Sequence, residues 1–160
     1  MSTASEPTVR VMHIDPEKDR GDFHAALAIR EVVFIEEQSV PESIERDAED
    51  ARAWHVLAWD GPHAVGTGRL VELPETPEGE SGHWGQVGRM AVLTAHRGRG
   101  LGRMILEHLE AEAGRRGLSG IKLHAQVHAF PFYEKMGYRR VGDEFMEAGI
   151  PHVECRKALA

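Results

Sequence analysis

The segment from Gly88 to Arg103 constrains this chain most. Gln86 to Leu93 reads as a strand, and it runs into a turn with glycines at 98, 100 and 102. Beyond the turn, Leu101, Met104, Ile105, His108, Leu109 and Glu112 fall at helical spacing and make a mostly apolar stripe. Arg115 and Arg116 occupy the last turn of that helix and Gly117 follows, a helix end. Glycines let backbone N–H groups approach a ligand with no Cβ in the way. A helix start adds about half a positive charge. The segment therefore predicts a cradle for a diphosphate, with Arg97, Arg99 and Arg103 adding charge.

The flanking sequence supplies the rest of a sheet. Val9 to Ile14 reads as a first strand. Asp19 or Asp22 is placed to cap a helix whose apolar face is Phe23, Leu27, Ile29 or the Arg30 stem, and Phe34; it fades near Gln38, before Pro41. Glu42 to Asp50 reads as a loop or short irregular helix. Trp54 to Trp59 and His63 to Leu73 form a hairpin around Asp60-Gly61-Pro62, followed by an exposed loop from Pro74 to Gly85. Ile121 to Gln126 is a strand, and Phe130 to Met136 a short helix stopped by Gly137. Tyr138 to Phe145 and His152 to Lys157 are two closing antiparallel strands joined around Ala148-Gly149-Ile150-Pro151. The order is strand, helix, three strands, helix, strand, helix, two strands. It fits an α/β (α+β) fold with a mixed sheet and helices on both faces.

With 160 residues the chain is one domain, 1–160, with 1–8 polar and frayed. No apolar run approaches the roughly 18 residues of a membrane span. Met1 to Thr8 lacks the basic-then-apolar pattern of a secretory signal. The single cysteine, Cys155, excludes an internal disulfide and points to a reducing cytoplasm. A net charge of −7 argues against non-specific nucleic-acid binding. The charge is uneven. Glu36 to Asp50 holds seven carboxylates and one Arg, whereas Arg97 to Arg103 holds three Arg and no acid. One region suits a cation and the other an anion.

Several readings compete for the glycine turn. A P-loop needs a Lys that is absent. A dinucleotide fingerprint fits at Gly98 and Gly100, but position 103 is Arg and no acid ends a strand about 20 residues on. A glycine turn with basic surface residues needs no ligand. The fourth pattern, Arg97-x-x-Gly100-x-Gly102 after Met90-Ala91-Val92 and before an amphipathic helix, resembles the coenzyme A signature of the GNAT superfamily of N-acetyltransferases. The stretch Gln126 to Tyr138, with Ala129, Tyr133 and Gly137 in register, is similar to that family's second signature, with Gln126 where Asn is usual. Val33-Phe34-x-x-Glu37-Gln38, Glu45, Asp47, Gly66-Thr67-Gly68-Arg69-Leu70 and Phe145 to His152 resemble a small bacterial branch of unassigned acceptor.

The resemblance implies a mostly antiparallel twisted sheet of about six to seven strands flanked by about four helices. It also implies acetyl transfer from acetyl-CoA to a small-molecule or peptide amine, without metal, nucleic acid or membrane. Small members of the family often pair, which leaves a homodimer open. A coenzyme site is implied at Met90, Ala91, Val92, Arg97, Gly98, Arg99, Gly100, Leu101, Gly102, Arg103, Gln126 and Tyr133. Tyr133 would give the departing thiolate a proton. A backbone N–H near Met90 to Val92 would polarise the carbonyl. Glu37 and His152 are the candidate bases. Glu37, Gln38, Gln126, Glu147 and His152 would line the acceptor side. The acidic run is either a solvated face or a funnel for a cationic acceptor. His124 and His128 sit four apart, but with His124 on a strand no metal site is expected. Cys155 reads as a half-buried strand residue. A module that binds acyl-CoA without transferring anything is the alternative from another class.

Overall fold

The computed structural model describes residues 9–159, so the expectation for 1–8 lies outside the described residues. Within them the chain forms one sheet of seven strands: β1 (Val9–Ile14), β2 (Trp54–Asp60), β3 (His63–Glu72), β4 (Trp84–Val92), β5 (Gly120–Gln126), β6 (Arg139–Glu147) and β7 (Ile150–Ala158). Their spatial order is β1-β2-β3-β4-β5-β7-β6. All neighbours are antiparallel except β4 and β5, which are parallel. Four α-helices accompany them: α1 (Arg20–Arg30), α2 (Glu42–Glu45), α3 (Leu101–Arg115) and α4 (Phe130–Lys135). This is the mixed sheet expected from the element order, mostly antiparallel as the resemblance implies.

The two long helices lie on opposite faces of the sheet. Leu101, Ile105, Leu106, Leu109 and Ala113 of α3 pack with Val56, Ala58, Val65 and Leu70. Ala26 and Ile29 of α1 pack with Ile14, Leu57 and Ala91. Gly66 and Gly68 on β3 explain how close α3 comes. A Cβ on Gly66 would stand 2.9 Å from Ile105 Cδ1, and one on Gly68 2.8 Å from Ile105 Cγ2 and 3.0 Å from Leu109 Cδ1. Only side-chain-free positions admit the helix at this height.

Three local differences from expectation have physical reasons. First, the helical run does extend to Glu37, but residues 31–37 are π-helical, with the wider turn that breaks regular 3.6-residue spacing. Second, β4 begins at Trp84, ahead of Gln86, because the Trp84 indole is buried against Gly120 of β5. Third, the connection between the last strands is a two-residue turn, Ala148-Gly149, with φ of +51 and +77. Two left-handed residues match the natural twist of a hairpin, so β6 and β7 run farther toward each other than the expected ends at Phe145 and His152.

Candidate active site

The site grows from a break in the sheet. β4 and β5 pair only over Trp84–Val87 and Gly120–Leu123. Past Val87 the register with β3 shifts between Thr67 and Arg69, and Arg89 takes φ +51. Such a bulge bends its strand. Beyond it β4 is no longer paired with β5, and a cleft of about 620 Å³ is lined by Met90 on one side and Leu123, His124 and Gln126 on the other. Met90 lies at the register shift, whereas Ala91 and Val92 are back in register with Thr67 and Gly66. Ala91 is buried in the core under α1, as its apolar side chain suggests.

The glycine turn opens α3 at the end of this strand. Gly98 and Gly100 take φ of +77 and +81, and a Cβ on either would meet nothing within 4 Å. Gly100 caps α3 without any side-chain hydrogen bond. The first N–H groups of the helix, from Leu101, Gly102 and Arg103, have no intrahelical acceptors. With open space beside Gly98 and Gly100, this helix start has the chemistry that suits an anionic diphosphate. The three arginines are less free than their sequence suggests. Arg97 donates from Nε to the Val92 carbonyl at 2.8 Å and from Nη2 to Glu37 at 2.9 and 3.2 Å. Arg99 reaches Asp60 at 3.0 Å, and Arg103 reaches Glu107 at 2.7 Å.

Tyr133, on α4, faces the break. Its hydroxyl lies 3.8 Å from Met90 Sδ, its ring packs edge-on to Phe132 and Tyr138, and it borders the cleft. Burial pushes its pKa up to about 12. The phenol therefore stays protonated throughout the neutral range. Cys155, fully buried on β7, is raised by burial to about 11 and is a thiol at neutral pH.

The opposite wall collects most of the expected acceptor-side residues. Gln126 donates to Gln38 at 2.8 Å and accepts from His128 at 2.7 Å. Cross-strand pairing sets His152 beside both Gln126 and Phe145. The tight Ala148-Gly149 turn brings Glu147 within 3.6 Å of His152 Nε2. Glu147 also accepts from His124 Nδ1 at 3.0 Å, and His124 holds its carboxyl below the ordinary range. His124 is a residue sequence reasoning passed over, considering it only as a metal ligand. Its position two residues before Gln126 on one strand was the available signal, since such residues share a face.

Glu37 departs from expectation. It does not line the cleft. Its carboxylate accepts from Arg97 and from Thr94 Oγ1 at 3.0 Å, and Arg97 holds it below the usual carboxylate range. It ties the helical run to the glycine turn, and its carboxylate is engaged by Arg97 and Thr94 rather than turned to the cleft residues.

The acidic run is partly solvated and partly paired: Glu36 and Glu42 are exposed, whereas Glu45, Asp47 and Asp50 are held by arginines. Glu45 is buried and paired with buried Arg30. Asp50 binds Arg30 and Arg69, each at 2.8 Å. Asp47 binds Arg69 at 2.7 Å and Arg89 at 3.1 Å, and the Arg69 hydrogen bond draws its pKa down to about 2. Arg89 also donates to the carbonyl oxygens of Glu45 at 3.0 Å and Ile44 at 3.2 Å. The bulge in β4 is thereby fastened to the α2 segment, which walls the cleft.

Comparison with known proteins converges on one family. Residues 22–159 match the family described as an acetyltransferase (GNAT) domain. "Uncharacterized N-acetyltransferase YjcF" of Bacillus subtilis is 38% identical over 141 residues, 88% of this chain and 95% of its own length. The solved structure of an acyl-CoA N-acyltransferase from Pseudomonas aeruginosa is similar with a TM-score of 0.78 at 28% identity, over 94% of this chain and 99% of the other. Escherichia coli ElaA, at 24% identity and a TM-score of 0.77 over 93% of this chain and 99% of the other, shares the fold. The family match runs from α1 to the end of β7 and takes in both signatures and the parted strands between them, so the chain belongs to the GNAT acetyltransferase family and is an acyltransferase.

Proposed function

We propose that the protein transfers an acetyl group from acetyl-CoA to a primary amine, by direct attack of the amine on the thioester with both substrates bound. The observation that carries this reading is Tyr133, protonated and facing the parted ends of β4 and β5 beside Met90. Acetyl transfer needs three things: an amine free of its proton, a polarised carbonyl, and a proton for the leaving thiolate. Tyr133 supplies the third. A backbone N–H near Met90, where the β3–β4 register shifts, would supply the second. The bare start of α3, with Gly98 and Gly100, suits the coenzyme diphosphate. Gln38, Gln126, Glu147 and His152 form the wall the amine would meet. A buried Cys155 that stays a thiol supports direct attack over an acyl-enzyme.

The test is an amine screen that follows free thiol release from acetyl-CoA, run on the unaltered chain and on Tyr133→Phe. The expected result is amine-dependent release that falls by roughly 10²–10⁴ in kcat in the variant, at unchanged coenzyme affinity. Tight coenzyme binding with no amine-dependent release from polyamines, amino sugars, amino acids or peptides would instead identify a binding module.

A further inference from the structure

We propose that the acceptor enters as an alkylammonium ion, anchored on the Glu147 carboxylate and deprotonated by His152 Nε2. This rests on the transfer reading above and names its substrate class and base. The argument begins with charge. Four carboxylates line the cleft: Glu45, Asp47, Glu49 and Glu147. Glu45 is paired with Arg30 and Arg46, Asp47 with Arg69 and Arg89, and Glu49 with Arg52. Among the described residues, the ion-pair partners of Glu147 are His124 and His152, neither a permanent cation. Glu147 is thus the cleft carboxylate with no arginine or lysine among its ion-pair partners, and the ligand that complements it is a cation.

Geometry then assigns the base. His152 Nδ1 lies 2.7 Å from the Ile150 carbonyl, which can only accept, so that nitrogen carries the ring's proton. In the neutral ring Nε2 then carries the lone pair, 3.6 Å from Glu147 Oε2. The Phe145 ring lies nearly parallel to the His152 ring at 6.0 Å and edge-on to His124 at 5.0 Å, which fixes both imidazoles. The charged groups around the pair come from several strands. His124 of β5 holds the other Glu147 oxygen, and Arg89 of β4 acts on Glu147 from across the cleft. Glu154 of β7, 3.9 Å from His124, is itself taken by Arg156 and Lys122. Tyr133, the acid, comes from α4 and shares the cleft with both.

The proton balance closes. The ammonium gives one proton to His152 Nε2, and Glu147 stabilises the imidazolium. The free amine forms the C–N bond and carries a second proton, which is lost as the C–S bond breaks. Tyr133 protonates the departing sulfur and recovers a proton from that second loss. His152 returns its proton to solvent. The sum is ammonium plus thioester giving amide, thiol and one proton.

The test uses two probe amines of similar size and acetyl-CoA: n-butylamine, an ammonium ion at neutral pH, and 2,2,2-trifluoroethylamine, largely the free amine there. Glu147→Gln should raise KM for butylamine by about 10- to 100-fold and leave that for trifluoroethylamine little changed. His152→Gln should lower kcat for butylamine by roughly 10²–10⁴ at neutral pH, with the deficit closing as rising pH frees the amine in solution. Coenzyme affinity, measured for each variant, reports whether it is folded; if His152→Gln does not fold, the Glu147→Gln comparison decides. Equal losses for both amines in Glu147→Gln, or a pH-independent deficit in His152→Gln, would overturn the assignment and leave the transfer reading standing. Use of neither probe by the unaltered chain would also overturn it, while the broader amine screen still decides whether transfer occurs.

Discussion

Arg30 grips Asp50 with both terminal nitrogens, Nη1 to Oδ1 at 2.8 Å and Nη2 to Oδ2 at 3.1 Å, while its Nε is given to Glu45. One guanidinium thus joins α1 to both ends of the 45–50 segment, which helps to wall the cleft. Arg30 and Glu45 are each 1% exposed. Removing one member of such a pair leaves a buried charge without its partner. Arg30→Ala should therefore cost about 3–5 kcal/mol of stability, read as a lower urea midpoint. Arg30→Met, which fills the space, would still strand Glu45 and should be no better than a partial rescue.

Asp47 gives the same network a pH signature. Its pKa is about 2 in the folded chain, against 3.8 for the free side chain. The folded value is the lower one, so the contribution is fully present above 3.8 and is lost as pH falls toward 2. Asp47→Asn should be destabilised at neutral pH by at most about 2 kcal/mol. The difference from the unaltered chain should vanish below that window, as denaturant midpoints across an acid series would show.

Gly68 offers a packing test. A methyl there would press into Ile105 and Leu109 of α3. Gly68→Ala should cost about 1–3 kcal/mol. Shortening Ile105 to Val removes neither Cγ2 nor the clash, whereas Gly68→Ala with Ile105→Ala should be less destabilised than the two single effects added. A thermal or denaturant double-mutant cycle measures that coupling.

Gly100 separates backbone strain from ligand crowding. Its φ of +81 is costly for any residue with a Cβ, yet that Cβ would point into open space. Gly100→Ala should lose roughly 1–3 kcal/mol of stability. Its coenzyme affinity should fall further than that of Gly102→Ala, whose added methyl meets only Phe132 at 3.6 Å. Titration of coenzyme A into each folded variant checks the order.

Much of the fold was legible because periodicity and punctuation agreed. Leu101 to Glu112 repeats at helical spacing and ends at Gly117, and the structure has that helix ending at Arg115. The glycine turn at the start of α3 was legible because its glycines stand between a strand and that helix. What was not legible depends on contacts distant in the chain. Nothing in the run from Glu36 to Asp50 announces that Arg30, Arg69 and Arg89 will neutralise it, since those partners lie on three other elements. The pairing of Glu37 was hidden for the same reason: its partner, Arg97, lies sixty positions away. The Ala148-Gly149 turn lacks the Asn-Gly or Asp-Gly pair that marks tight hairpins. The meeting of Glu147 with His152 was therefore hidden in an apparently longer loop.

The seating of α3 on Gly66 and Gly68 also bears on how fast a coenzyme bound at the proposed site would be captured. Ile105 and Leu109 of α3 sit so close to the β3 backbone that a Cβ at Gly66 or Gly68 would clash with them, which ties the helix to the sheet. A coenzyme captured at a first turn seated in this way would need no closure step. Coenzyme A should associate in a single kinetic phase, with a rate constant linear in concentration and in the ordinary range of roughly 10⁵–10⁷ M⁻¹s⁻¹, and affinity changes in turn variants should appear chiefly as faster escape.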